Sequence, residues 1–211
     1  MHWLEIIYFI VIMLAFIASF WTIRNRGYIL FIPLLAFSLL VESMRAAKLF
    51  PDAIQSDISA YYTIVEYALL SYIISNFIQS FRKRLVIRSS ILVLIPLFIV
   101  IELTIADKSL TYKYLTLLIE SPFVCVWTIL YLFETAKQDH EFEITRNPMF
   151  WISLGNLLFY SGSFFSYGFG SYLNSKGNED MANTLLWIAR ILNILLYILY
   201  FIGFLCLRKK K

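Results

Sequence analysis

Runs of about 20 predominantly apolar residues recur along this chain, and they constrain its fold more than any other feature. Every backbone polar group inside a bilayer must be hydrogen-bonded within the protein, so such runs favour α-helices that span the membrane. Hydrophobic residues make up 60% of the 211 residues and charged residues only 15%, which excludes an ordinary water-soluble domain. The sequence therefore predicts an all-α polytopic membrane protein.

The apolar runs predict a seven-transmembrane-helix bundle that forms a single domain over residues 1–211. The predicted helix bounds are about 3–23, 28–46, 58–80, 85–105, 111–133, 148–173 and 183–207. The connections between these segments are short, about 14 residues at most, as in compact helical domains. A globular catalytic insert therefore has no place in the chain.

Lys and Arg are distributed unequally between the two sides of the predicted bundle. Twelve of the 18 flank the side that carries the C-terminus, and five flank the other side. The positive-inside rule then predicts an N-terminus outside and a C-terminus in the cytoplasm. The net charge of +4 reflects this flanking charge, so the expected surroundings are a lipid bilayer and no nucleic acid.

Arg190 lies inside the last apolar run, where an unpaired charge costs several kcal/mol. We expect it to face the bundle interior, at a depth that it shares with Glu66 and Glu120. These two residues are its predicted counter-charges, with Glu42 third, although Glu42 can also pair with Arg45 three residues further on. With more carboxyl groups than guanidinium groups at this depth, either one Glu is protonated or the site binds a cation.

Polar residues form stripes at helical spacing on the third, sixth and seventh helices. Interhelical hydrogen bonds explain any one of these residues, whereas three stripes together favour a shared polar pocket that opens outward. The predicted ligand-binding residues are Glu66, Glu120, Arg190, Asn193, Tyr62, Asn156, Tyr160 and Tyr197.

The sequence carries few signals for catalysis or cofactors. His2 and His140 lie outside the predicted bundle core, and the metalloprotease, nucleotide-binding and serine-hydrolase motifs are missing. We expect no cofactor and no metal site, and we expect Cys125 and Cys206 to be buried thiols. An intramembrane hydrolase that uses Glu66 and Glu120 stays open, but the expected class is non-enzymatic.

Two local features predict how the sixth helix begins and packs. Asn147 followed by Pro148 is typical of a helix start, because Asn can cap the helix and Pro fits its first turn. Gly155 and Gly162 fall near one face and predict the close approach of a neighbouring helix. Pro122, two residues after Glu120, predicts a kink in the fifth helix.

Residues 61–67 (YYTIVEY), 147–152 (NPMFWI), 159–162 (FYSG) and 193–200 (NILLYILY) resemble stretches of uncharacterised seven-helix bacterial membrane proteins. Those proteins are similar to the membrane sensor modules of histidine kinases. The resemblance implies a receptor or sensor module in a bacterial cytoplasmic membrane, with a small-molecule or ion ligand and a cytoplasmic signalling partner. It brings no catalytic residues.

Two other interpretations stay open. The helices divide into three plus one plus three, with a basic cluster after each triplet at 82–84 and 208–211, and this layout resembles that of small seven-helix sugar transporters. Their Pro-Gln signature is missing from this chain. The other alternative is a structural membrane subunit.

The acidic stretch 134–147 predicts either an extension of the fifth helix or a docking site for a soluble partner.

Overall fold

The computed structural model describes residues 2–104, 114–138 and 144–209, which form seven α-helices and no strand. The helices are α1 (His2–Ser19), α2 (Phe31–Ala46), α3 (Asp52–Phe77), α4 (Phe81–Thr104), α5 (Leu115–Gln138), α6 (Pro148–Ser175) and α7 (Glu179–Lys209). Short 3₁₀ turns occupy Phe20–Arg24 and Ile144–Arg146. The predicted all-α class and the number and order of the helices are confirmed. Some of the predictions fall outside the described residues. They concern the end of the fourth helix at 105, the start of the fifth at 111–113, His140, and the acidic residues between 139 and 143.

Five helices are long and apolar enough to cross a membrane, namely those that contain Trp3–Ile23, Asp57–Phe77, Phe81–Thr104, Leu115–Lys137 and Glu179–Arg208. α2 has 16 residues, about 24 Å of helix, which is shorter than the hydrocarbon core of a bilayer at about 30 Å. α6 has 28 residues, but its many polar residues and glycines lower its mean hydropathy. Several apolar helices thus fit a membrane-spanning protein.

Several helices begin at positions other than those predicted, because polar residues extend them beyond the apolar runs. α3 begins at Asp52, six residues before the predicted start, directly after Pro51. α4 begins at Phe81 and so includes the basic residues at 82–84 in its first turn. The predicted start of α6 is confirmed, since the Asn147 side chain accepts a hydrogen bond from the backbone N–H of Met149 at 3.0 Å.

Six of the seven helices form a closed ring. α1 packs against α2, α2 against α3, α3 against α5, α5 against α6, α6 against α7, and α7 against α1. α4 lies outside this ring and packs mainly on α3. Its outer face carries strongly exposed apolar side chains such as Leu92 and Val93, as expected of a helix that faces lipid. The ring therefore has an interior that α4 does not line.

α1 and α7 run parallel, because their contacts advance together along both helices. Glu5 meets Arg190, Tyr8 meets Asn193, and Trp21 meets Arg208. We call the end of the ring with Glu5 and Arg190 the Arg190 end, and the opposite end, with Trp21 and Arg208, the basic end.

α3 and α5 are the second parallel pair. Phe77 stacks edge-on against Tyr131 near the basic end, and the backbone N–H of Gln79 donates to Glu134 at 2.9 Å. The chain can place these neighbours in parallel because α4 returns it to the starting side along the outside of the ring.

α6 and α7 pack most closely, and glycines allow it. A Cβ at Gly162 would lie 2.1 Å from the Leu192 side chain, and a Cβ at Gly155 would lie 3.2 Å from Leu199. The close approach predicted for these two glycines is confirmed. Gly203 on α7 contributes as well, because a Cβ there would lie 2.8 Å from the carbonyl oxygen of Pro148.

Candidate ligand site inside the helix ring

Two carboxyl groups lie near each other inside the ring. Glu66 of α3 and Glu120 of α5 are close enough to interact electrostatically, and the phenolic oxygen of Tyr160 on α6 faces both. Glu120 and Tyr160 are both 0% exposed, and Glu66 is partly buried. The hydroxyl of Tyr62 also faces Glu66, one helical turn away on α3. The structure thus brings four of the predicted site residues together.

Glu120 and Tyr160 leave polar atoms unsatisfied in this interior. The Tyr160 hydroxyl lies near both carboxyl groups, but within the described ranges no contact of hydrogen-bonding distance and angle reaches it or either carboxyl oxygen of Glu120. A buried polar group without a partner costs about 1–3 kcal/mol, and more if it is charged. Such groups are rare in native proteins, and each one calls for a functional or structural explanation.

Hydrogen bonds around the carboxyl pair link the helices of the ring. Tyr62 on α3 forms a hydrogen bond with Ser38 on α2. The Ser38 hydroxyl also donates to the backbone carbonyl oxygen of Leu34 on its own helix. The Tyr200 hydroxyl on α7 donates to Asn156 Oδ1 on α6 at 2.5 Å. The amide nitrogen of Asn156 has no partner in the part of the chain that the structure describes. The walls of the interior are therefore held by polar contacts, while groups that point into it stay unsatisfied.

Tyr197 and Asn193 lie on α7, next to α1. Tyr197 is buried, and its ring centroid is 5.8 Å from that of Tyr8 and 6.1 Å from that of Tyr200. Asn193 donates to the Tyr8 hydroxyl at 3.3 Å. Both residues contact Tyr8 of α1, a helix that the polar stripes did not include.

Arg190 lies elsewhere than the sequence predicted. Its guanidinium group is 3.8 Å from the carboxylate of Glu5 and 5.2 Å from the Trp187 ring centroid, and its side chain is 58% exposed. The expected ion pairs with Glu66 or Glu120 are not formed among the described residues. The prediction failed because depth fixes only the axial position of a residue, whereas the packing of α7 on α1 turns this side chain to the rim of the ring.

Glu42 has the local partner that was considered for it. Its carboxylate is 2.9 Å from Arg45 Nη1, and Arg45 Nη2 donates to Ser59 on α3 at 2.8 Å. This group fastens the Arg190 end of α2 to α3. Glu42 is therefore engaged, in contrast to Glu120.

Charged residues at the basic end also have partners within the protein. Glu134 bonds to Lys83 at 2.9 Å, and Arg88 donates to Asn76 at 2.9 Å. α5 continues to Gln138, so Glu134 lies on a helix, as one of the two interpretations of the acidic stretch predicted. Because Lys83 holds it, Glu134 is a structural contact between α4 and α5.

Ser38, Tyr8 and Tyr200 are site residues that were absent from the predicted set. Tyr200 belonged to the stripe on the seventh helix, and its spacing from Tyr197 was a usable signal. Ser38 and Tyr8 each have one polar residue at helical spacing, Glu42 and Glu5, and such short patterns were not counted among the polar stripes.

An apolar groove of about 420 Å³ lies between α5 and α6 on the outer surface. It is lined by Leu118, Phe164, Gly168, Phe169 and Tyr172. The groove faces away from the ring interior and contains none of the predicted ligand-binding residues, so it is not the polar pocket expected from the sequence.

Two carboxyl groups and two phenolic hydroxyls make the site an all-oxygen one. No group of three or more His, Cys, Asp or Glu side chains suited to a metal ion occurs in the described parts of the chain. Divalent cations favour six or more oxygen ligands, often with several carboxylates. The arrangement suits a ligand that donates hydrogen bonds or carries a single positive charge.

No family model, no curated protein and no solved structure matches this chain.

Proposed function

We propose that the protein is a non-enzymatic receptor or sensor module of a bacterial cytoplasmic membrane, which binds a small ligand inside the helix ring and signals to a cytoplasmic partner. All seven helices span the bilayer in this proposal, with the N-terminus and the Arg190 end outside and the basic end in the cytoplasm. The observation that carries it is the unsatisfied Glu120 and Tyr160 pair, which is fully buried. Polar groups of this kind in a membrane interior mark functional sites by default.

The distribution of charge supports the orientation. Lys83, Arg84, Arg88 and Arg208 gather at the basic end, as the positive-inside rule expects of a cytoplasmic side. The Arg190 end carries two acidic residues, Glu5 and Glu42, within its ion pairs.

α5 offers a route from the ligand site to the cytoplasm. Pro122 lies inside this helix, two residues beyond Glu120, and removes one backbone hydrogen bond there. The cytoplasmic part of α5 holds α4 and the link between α3 and α4 through Glu134, which contacts Gln79 and Lys83. A ligand that binds at Glu120 would favour one angle of the helix at Pro122 over another. This change would shift the contacts of Glu134, as expected of an element with two conformations.

Hydrogen exchange tests the sensor function without a known partner. The purified chain in nanodiscs is screened for compounds that raise its thermal stability, and exchange is then measured at 131–138 with and without each stabilising compound. We expect a bound compound to alter exchange in this segment, and Glu120→Gln to abolish the effect while Glu102→Gln on α4 retains it. Binding that leaves 131–138 unchanged would contradict a sensor.

A small-solute transporter is the second candidate, favoured by polar groups that continue toward the basic end. Ser71, Thr128 and Ser153 lie beyond the carboxyl pair in that direction, are fully buried, and have side-chain oxygens without partners among the described residues. A transported solute needs such a path across the membrane. Flux of a stabilising compound into proteoliposomes would support this function over the sensor.

A further inference from the structure

Three basic side chains of the helices pair with carboxylates other than Glu66 and Glu120, so they do not serve the interior carboxyl pair as counter-charges. Arg45 pairs with Glu42, Arg190 with Glu5, and Lys83 with Glu134. Among the described residues no Lys, Arg or His nitrogen comes within 4 Å of a carboxyl oxygen of Glu66 or Glu120. The ring thus places two ionisable carboxyl groups in its interior, while these three basic side chains lie at its ends.

The groups that face this interior are hydrogen-bond acceptors from three helices. Glu66 contributes a carboxyl group from α3, Glu120 one from α5, and Tyr160 a phenolic oxygen from α6. An ammonium group has three N–H donors, which matches three acceptor groups. An alkali metal ion is likewise held by oxygen ligands, and carboxylate and hydroxyl oxygens supply them.

Charge and size both favour a compact, singly charged ligand. One monovalent cation balances one carboxylate, and one proton on the other carboxyl group completes neutrality. A divalent ion fits less well, because it favours a larger set of oxygen ligands. Tyr160, Tyr197 and Tyr200 are buried and close enough to Glu66 to interact with it electrostatically, and aromatic rings of this kind attract an ammonium group through cation–π interactions.

We propose that Glu66 and Glu120, together with the Tyr160 hydroxyl, bind one compact monovalent cation, either an alkali metal ion or the ammonium head of a small amine. The inference rests on the ligand site of the proposed function and names the class of its ligand. Glu120 is the central residue, because both of its carboxyl oxygens are buried and unpartnered within the described ranges.

Thermal unfolding of the detergent-purified full chain tests the proposal. Sodium, potassium and methylammonium chloride are compared at constant ionic strength with the chloride of a bulky cation, N-methylglucamine. We expect at least one compact cation to raise the unfolding midpoint by several degrees in a saturable manner. A response to sodium or potassium alone identifies an alkali ion, and a response to methylammonium alone identifies an amine head.

Variants tie the response to the site. Glu66→Gln and Glu120→Gln should each lose it, and Tyr160→Phe should need several-fold more cation for the same shift. Glu102→Gln is the matched control, since Glu102 lies on α4 and accepts a hydrogen bond from Thr116 at 2.6 Å that Gln can retain. Equal midpoints in all four salts, or a response that survives Glu120→Gln, would overturn the proposal.

Two further outcomes separate this inference from the proposed function. If a compact cation binds while hydrogen exchange at 131–138 stays unchanged, the cation site stands and the sensor function fails. If a neutral compound alters that exchange while all cations have no effect, the sensor function stands and the cation site fails. Should Glu120→Gln not fold, titration of the stabilising cation against the wild type and Tyr160→Phe decides instead, and an equal half-saturating concentration in the two proteins would overturn the site.

Discussion

Acidic residues have different surroundings at the Arg190 end of the ring and in its interior. At the Arg190 end, Glu42 pairs with Arg45 at 2.9 Å, and Glu5 lies 3.8 Å from Arg190. In the interior, Glu120 is fully buried and its carboxyl oxygens have no partner among the described residues. Carboxylates that pair with near neighbours at the rim hold helices together, whereas buried carboxyl groups without partners reduce stability and persist for another reason.

The comparison therefore separates structural from functional charge. A surface ion pair contributes about 0–1 kcal/mol, so the rim residues can change with little effect. An unsatisfied buried carboxyl group costs more than that, and a function that requires it explains why it is present. The three variants below test this separation, from the largest expected effect to the smallest.

Replacing Glu120 by Met should stabilise the protein. Met has a similar length and no unsatisfied oxygen, so the free energy of unfolding should rise by about 1–3 kcal/mol. Chemical unfolding in micelles measures the change. The control is Glu42→Met, which should lower stability by about 1 kcal/mol or less because it breaks the pair with Arg45. A loss of stability in Glu120→Met would mean that this carboxyl group has a partner after all.

Tyr200→Phe should destabilise the α6–α7 contact by about 0.6–1.5 kcal/mol. The substitution removes the donor to Asn156 Oδ1 and keeps the ring, so it isolates one interior hydrogen bond. The same unfolding measurement applies, with Tyr172→Phe as the control because Tyr172 is 59% exposed. Equal stability of the two variants would show that the walls of the site do not depend on this bond.

Arg190→Gln should change stability by less than about 0.5 kcal/mol. Both members of its ion pair are more than half exposed and 3.8 Å apart, which leaves little Coulomb energy to lose. A collapse of the folded state on this substitution would place Arg190 inside the ring, as the sequence had suggested.

Helix number and order, the start of α6 and the close packing at Gly155 and Gly162 could all be predicted from the sequence, because each depends on local chemistry. Asn147 caps its helix whatever lies around it, and Gly155 allows close approach wherever a neighbour meets that face. The pairing of Glu42 with Arg45 is similarly local, since both lie on one helix three residues apart.

The arrangement of the helices around the ring could not be predicted, because hydropathy does not say which helices meet. α4 is as apolar as the others but lies outside the ring, and α1 lines it with one polar residue, Tyr8. The partner of Arg190 depended on that arrangement. Its predicted depth matched that of Glu66, yet the rotation of α7 about its axis directs its side chain toward Glu5.

Ligand-dependent thermal stability of three proteins, the wild type, Glu120→Gln and Arg190→Gln, tests the central claim most directly. A ligand at about 100 times its Kd stabilises a protein by about 2.7 kcal/mol, which such an assay resolves. The account predicts that the cation or compound that stabilises the wild type also stabilises Arg190→Gln and has no effect on Glu120→Gln. Stabilisation that is lost in Arg190→Gln and kept in Glu120→Gln would contradict it and move the site to the rim.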